Sequence, residues 1–296
     1  MNVLAIDIGG TFVKYGLVDD NNQLVHTWKK ETKACKSADE FYDDICSGLD
    51  CEYDLVGISA PGVLSDDGVV TTKAGGNAII MYQTNVTNEI EKRLQKPVAT
   101  INDAKAAGYC ESQIGNGKGA KSSAYFIIGT GIGGCLCDDR GVITGFDGAA
   151  GELSNLPVGI NEKTNEIEVL VEHAGVPGLI QKYNALANED VKYGKDVSEQ
   201  FIAKNPYAIQ AVEWWCANIT LGLHAINVVY NPEVICIGGG ISEASWFLDT
   251  LLDVYNTKVS FHFKSAFHPT ITTCKFHNDA NLLGAAIYTK NQNIEK

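Results

Sequence analysis

One phrase occurs twice in this chain: an apolar strand, a glycine turn, a second strand and an acidic turn. The first copy runs Val3-Leu4-Ala5-Ile6, then Asp7-Ile8-Gly9-Gly10-Thr11, then Phe12 to Val18 and Asp19-Asp20-Asn21-Asn22. The second runs Tyr125-Phe126-Ile127-Ile128, then Gly129-Thr130-Gly131-Ile132-Gly133-Gly134, then Cys135-Leu136-Cys137 and Asp138-Asp139-Arg140-Gly141. Glycines allow positive φ and close backbone approach, so successive N–H groups can converge on an anion such as a phosphate. Two such loops, one from each repeat, suit a single polyphosphate held between them.

Gly129-x-Gly131-x-x-Gly134 also matches the dinucleotide-binding pattern. That pattern requires a helix directly after the glycines and an acidic residue about 20 positions on. Here the glycines lead into Cys135-Leu136-Cys137 and a hairpin turn, so the match reads as accidental. Hairpin glycines alone are ordinary turn chemistry; the duplication and the carboxylate at Asp7 are what point to a ligand.

At 296 residues, with 45% hydrophobic and 20% charged residues, the chain has the length of two ordinary globular domains. Its formal net charge of −13 argues against nucleic acid or an anionic membrane as partner. A nucleotide would have to be held by backbone amides and magnesium. The nine cysteines are odd in number and scattered through apolar runs, which reads as reduced thiols in the cytoplasm. Cys135 and Cys137 share one strand face and read as core thiols, since no other metal ligands lie nearby. No apolar run reaches the roughly 20 residues of a membrane span, so a soluble protein is expected.

The pattern predicts strands at 3–8, 12–19 and 22–29, and a helix from the Ser37-Ala38-Asp39-Glu40 capping box to about residue 48. A short strand at 55–59 stops at Ala60-Pro61-Gly62. A helix at about 85–95 and a strand at 98–101 follow, the strand ending at Asn102-Asp103 before a helix to Ile114. Strands alternating with helices imply an α/β chain with a mixed sheet and ligands at strand ends. The region 149–204 reads as helical and loop-rich, and Ala208 to Tyr230 as one long helix ended by Asn231-Pro232. A buried strand, Val234-Ile235-Cys236-Ile237, enters Gly238-Gly239-Gly240, with Ser242 expected to cap the next helix. A last helix spans about 279–291. The polar, glycine-rich stretch 112–122 marks the domain boundary.

Two further sites present carboxylates. Asn102-Asp103 sits where a strand meets a helix, though Asn-Asp is also an ordinary helix cap. In Gly148-Ala149-Ala150-Gly151-Glu152, small residues permit tight approach while a carboxylate points inward. In this order, Asp7-Ile-Gly-Gly-Thr-x-x-Lys14, Ser59-Ala-Pro-Gly62, Asn102-Asp103, Gly129-Thr-Gly-Ile-Gly-Gly134, Gly151-Glu152 and Gly238-Gly-Gly-Ile-Ser242 resemble the ROK family of sugar kinases and repressors. That family lies within the actin-like ATPase superfamily, and the resemblance covers nearly the whole chain.

The resemblance implies an actin-like ATPase (ribonuclease H-like) fold of two α/β domains with duplicated topology and a cleft between them. The smaller domain would comprise 1–115 plus about 284–296, the larger 116–283. It further implies an ATP- and Mg²⁺-dependent transfer of the γ-phosphate to the 6-hydroxyl of a hexose or hexoside, by a homodimer. Gly9, Gly10 and Thr11 would form the first phosphate loop with Lys14 nearby, and Asp7 would orient Mg²⁺ through water. Thr130, Gly131 and Gly133 would form the second loop, and Gly239 the nucleotide-side loop. Asn102 resembles a sugar-hydroxyl ligand, and Glu152 the second sugar carboxylate. Asp103 is the expected catalytic residue. Phosphoryl transfer through a loose transition state needs alignment more than a strong base, and an aspartate, of ordinary pKa about 3.9, would orient the hydroxyl and take its proton late.

Many relatives follow Gly-Glu with x-Gly-His and a cysteine-rich zinc segment. This chain has Leu153-Ser154-Asn155, and Val158 to His173 contains no cysteine, so no structural zinc is expected. Asn155 takes the histidine's place. The last sugar carboxylate maps to Glu172, with Glu168 as the alternative. Loss of the segment resembles the zinc-free branch that includes β-glucoside kinases, as does Gly75-Gly76-Asn77-Ala78-Ile79, which makes Asn77 a further sugar-binding candidate. Trp214-Trp215, on a long apolar helix, reads as packing or a dimer contact rather than a sugar platform. The competing reading is a sugar-sensing regulator of the same family. Such proteins carry an N-terminal helix-turn-helix, whereas here the first strand begins at Val3.

Overall fold

A computed structural model describes residues 1–259 and 269–294. The chain divides into two compact units, one of Met1–Gly115, Gly141–Ala150 and Asn278–Lys296, the other of Asn116–Arg140 and Gly151–His277.

In the first unit, β1 (Val3–Ile8), β2 (Phe12–Val18) and β3 (Leu24–Glu31) form the expected meander, followed by α1 (Ala38–Ile45) and β4 (Leu55–Ala60). Next come α2 (Val86–Leu94), β5 (Val98–Asn102) and α3 (Asp103–Ile114). The sheet order is β3-β2-β1-β4-β5, with β1 antiparallel to β2 and parallel to β4. Every residue of β1 and β4 is buried, as befits central strands covered on both faces. Helix starts are locally encoded. Ser37 Oγ accepts from Glu40 N at 3.2 Å, and Asn85 Oδ1 from Asn88 N at 2.9 Å.

The second unit opens with β6 (Ser122–Ile128) and β7 (Ile132–Asp138), joined by the second glycine turn. A strand rather than a helix follows those glycines, which removes the dinucleotide-fold reading. After the two-residue β8 (Gly141–Val142) come β9 (Pro157–Ile160), β10 (Ile167–Val169), α4 (Leu170–Ala174), α5 (Val176–Ala187), α6 (Gly194–Ile202) and α7 (Pro206–Val229). β11 (Val234–Gly238), α8 (Phe247–Lys258) and β12 (Thr270–Thr273) complete it, before α9 (Ala280–Ile294), which belongs to the first unit. The sheet runs β12-β11-β6-β7-β8, with β6 antiparallel to β7 and parallel to β11. Reversed, that order matches β3-β2-β1-β4-β5 strand for strand. The duplicated phrase in the sequence is therefore a duplicated topology.

Three local expectations change. The stretch 149–204 contains an antiparallel hairpin, β9 with β10, in which Ile160 pairs with Ile167. Both isoleucines are exposed, so no alternation advertised the strands. The long helix begins at Pro206, because Asn205 Oδ1 accepts from Tyr207 N at 2.9 Å and proline suits a first helical position. Ser242 caps no helix: it lies in the 3-10 turn Gly240–Glu243, its Oγ donating to Gly239 O at 2.7 Å, and α8 starts only at Phe247. Trp215 is fully buried and donates to Ala174 O at 2.8 Å, so it is a core residue. Trp214 packs edge-on against His173. Among the described residues, no helix is long and apolar enough to cross a membrane.

Candidate functional site

Strand register builds the first cluster. Asp7 on β1 stands opposite Lys14 on β2 and Ser59 on β4, so one row across three strands carries a cation, a carboxylate and a hydroxyl. Asp7 is only 7% exposed. Its Oδ1 accepts from Ser59 Oγ at 2.7 Å and from Asn281 Nδ2 at 3.0 Å, while Oδ2 lies 3.5 Å from Lys14 Nζ. Such donors offset the cost of burying a carboxylate.

The turn that follows Asp7 is clasped from outside. Gly9 N donates to Phe12 O at 3.0 Å, Thr32 Oγ1 donates to Gly9 O at 2.7 Å, and Thr32 N to Thr11 O at 2.9 Å. Asn77 N donates to Gly10 O at 3.1 Å, and Asn77 Nδ2 to Thr32 O at 2.7 Å. The carbonyls of Gly9 and Gly10 thus face protein partners, and Thr11 lies exposed. Asn77 joins this turn rather than the Asn102-Asp103 pair.

At the end of β5, Asn102 uses its whole amide. Oδ1 accepts from Lys105 N at 3.1 Å, capping α3, while Nδ2 donates to Gly62 O at 2.9 Å and to Asp103 Oδ1 at 3.0 Å. Asp103 Oδ1 also accepts from Ala104 N at 2.7 Å. Lys105 Nζ donates to Gly148 O, which ties the loop at Gly148 to the start of α3. The Ser59–Gly62 turn, the Asn102-Asp103 pair and Gly148 therefore gather at one end of the first sheet.

In the second unit, Thr130 and Gly131 are exposed at the tip of the β6–β7 turn. The turn is tied on two sides. Ser154 Oγ accepts from Ile132 N at 3.2 Å and donates to Ile132 O at 2.6 Å, and Val176 N donates to Gly129 O at 3.0 Å. Glu152 and Asn155 share the 3-10 turn that carries Ser154, so the structure groups them with the glycine loop. Gly239, at φ 93°, lies where a Cβ would come 1.9 Å from Ile128 O, a position closed to other residues. Glu172 is exposed and accepts from Val169 N at 3.3 Å across its own helix start. Glu168 accepts from Asn161 Nδ2 at 3.1 Å and faces His173 Nε2 at 3.4 Å.

Sequence reasoning missed four residues that organise these groups: Thr32, Lys105, Ser154 and Asn281. Each acts on a partner distant in the chain or through a backbone group, and no motif signals that.

The ROK family model matches residues 3–292. An uncharacterized protein of Clostridium perfringens is 32% identical over 98% of both chains. The β-glucoside kinase of Listeria innocua is 28% identical over 97% of both. A ROK family glucokinase from Streptomyces griseus, solved with glucose and AMPPNP, superposes with a TM-score of 0.81 at 23% identity, over 98% of this chain and 100% of that one. The two five-stranded sheets, one in each unit, are those of the α/β fold of that structure.

Proposed function

The chain belongs to the ROK family, and from that premise we propose that it is an ATP-dependent sugar kinase phosphorylating the 6-hydroxyl of a hexose or hexoside, with glucose, β-glucosides and N-acetylmannosamine as candidate acceptors. The observation that carries this reading is the Asp103 carboxylate, half-buried at the start of α3, with Oδ1 fixed by Ala104 N and Asn102 Nδ2. A carboxylate held by two donors is oriented in advance, which is what an alignment-limited transfer requires.

The residues suit a nucleotide and its cation. Thr11, Thr130 and Gly131 are exposed in turns whose flanking carbonyls are already bonded, and a Cβ at Gly131 would meet no atom within 4 Å. Asp7 offers a hard oxygen beside the Lys14 ammonium, suited to a magnesium ion that keeps its water shell. Bound Mg·ATP would supply the phosphoryl group and offset its charge. Lys14, Gly9, Gly10 and Thr11, with Thr130, Gly131, Gly133 and Gly239, are assigned to the nucleotide. Asn102, Glu152, Asn155 and Glu172 are assigned to sugar hydroxyls, because amide and carboxylate oxygens accept several hydrogen bonds each. Asn77, tied by its two nitrogens to Gly10 O and Thr32 O beside the first glycine turn, is assigned to the sugar through Oδ1 alone. Asp103 aligns the acceptor hydroxyl and takes its proton as the bond to phosphorus forms.

Incubation with Mg·ATP and glucose, cellobiose, N-acetylmannosamine or fructose, followed by mass and phosphorus NMR analysis, tests the assignment. A 6-phosphate of at least one ring is expected. Absence of any phosphorylated sugar would overturn it.

A further inference from the structure

Asp7 draws one of its two donors from the far end of the chain. Asn281, in the first turn of α9, places Nδ2 3.0 Å from Asp7 Oδ1, across 274 residues of sequence. The same oxygen accepts from Ser59 Oγ, so Oδ1 is engaged by two donors and Oδ2 is the oxygen on the Lys14 side. We propose that Asn281 is a positioning residue of the nucleotide site, fixing the Asp7 carboxylate so that Oδ2 is the oxygen presented to the hydrated cation. This rests on the nucleotide reading above and adds a residue that no glycine or carboxylate motif contains.

The packing of α9 makes the contact a rigid one. A Cβ on Gly57 of β4 would come 2.5 Å from Ala285 O, and a Cβ on Gly284 would come 1.9 Å from Ala106 O of α3. Backbone thus rests on backbone at two places within four residues of Asn281, on the sheet and on α3. Farther along, Lys290 Nζ donates to Asp19 O and Asn22 Oδ1, at 2.5 and 2.9 Å, pinning the helix to the β2–β3 turn. Thr289, on the same helix, is fully buried, its Oγ1 donating to Ala285 O at 2.8 Å. A helix seated at both ends cannot drift, so the amide of Asn281 stands at a fixed height over Asp7. Free rotation of a carboxylate about its last bond is broad and two-fold; two donors on one oxygen remove that freedom.

The effect should appear in the cation-dependent part of nucleotide binding and nowhere else. Calorimetry of AMPPNP binding to the full chain, in excess Mg²⁺ and in EDTA, separates it. Asn281→Ala and the near-isosteric Asn281→Leu are compared with wild type. The expected result is an affinity gain from Mg²⁺ about five- to tenfold smaller in both variants, the net size of one ordinary hydrogen bond. Binding in EDTA and sugar KM should stay unchanged, while the Mg²⁺ midpoint for turnover rises. An undiminished Mg²⁺ gain in the variants, or a collapse of thermal stability in both, would overturn the proposal and leave the nucleotide reading standing. If wild type itself binds no AMPPNP, the nucleotide reading falls and takes this inference with it.

Discussion

Asn102 Nδ2 donates to Asp103 Oδ1 at 3.0 Å while Asn102 Oδ1 caps α3 through Lys105 N. One side chain therefore both starts the helix and aims the carboxylate next to it. Stability and turnover can be separated at this position because they use different atoms of the amide.

Asn102→Ala should lose about 1 kcal/mol from the missing cap and, in the same protein, about tenfold in kcat from the loosened Asp103. Asn102→Ser, which keeps an oxygen acceptor for the helix N–H but supplies no amide donor, should recover most of the melting temperature and little of the kcat. Recovery of both together would mean that Asn102 acts only as a cap.

The second glycine turn divides into two kinds of position. A Cβ at Gly134 would come 2.0 Å from Gly151 O and 2.5 Å from Leu153 Cγ, so Gly134→Ala should destabilise by about 1–3 kcal/mol, as overpacking does. At Gly131 a Cβ would meet nothing within 4 Å. Gly131→Val should keep its melting temperature within about 2 °C, a surface-like change, and raise the KM for ATP without changing that for the sugar. Thermal melts and two-substrate kinetics on the pair check this, and a normal ATP KM in Gly131→Val would remove that loop from the nucleotide assignment.

Acid should loosen the first unit through Asp44. Burial pushes its carboxyl up, but hydrogen bonds from Lys33 and Lys30 outweigh that and hold it below the ordinary value. A depressed folded pKa contributes stability that is present above the unfolded value of about 4 and is lost as pH falls through the folded one. Lys30 joins α1 to β3 and Lys33 joins it to the segment just after β3, so Asp44→Asn should be less stable than wild type at pH 7, with the difference shrinking toward pH 3. Urea melts across that range measure it, and a constant difference would show that the ion pairs contribute nothing.

The glycine turns, the meanders and the helix caps were readable because each is decided by a few adjacent residues: Gly-Gly after Asp7, Ser37 before α1, Asn102 before α3. The paired hairpins followed from the repeated phrase, and the duplicated topology from the family resemblance. The β9–β10 hairpin was not readable, since its strands are four and three residues long and expose Ile160 and Ile167 rather than alternating. Ser242 misled because a serine after glycines looks like a cap, whereas its hydroxyl closes a 3-10 turn onto Gly239. Asn281 and Thr32 were invisible for a different reason. Their partners are backbone carbonyls or a carboxylate brought near only by the completed sheet, and no local preference records that.

Sugar-dependent release of ADP, measured in a coupled assay with Mg·ATP for wild type and Asp103→Asn side by side, bears most directly on the central claim. Wild type should release ADP only when a hexose or hexoside is present, and the folded Asp103→Asn variant should lose at least about a hundredfold in kcat, the scale of a missing general base. Full turnover in a correctly folded Asp103→Asn, or ADP release indifferent to sugar, would contradict it.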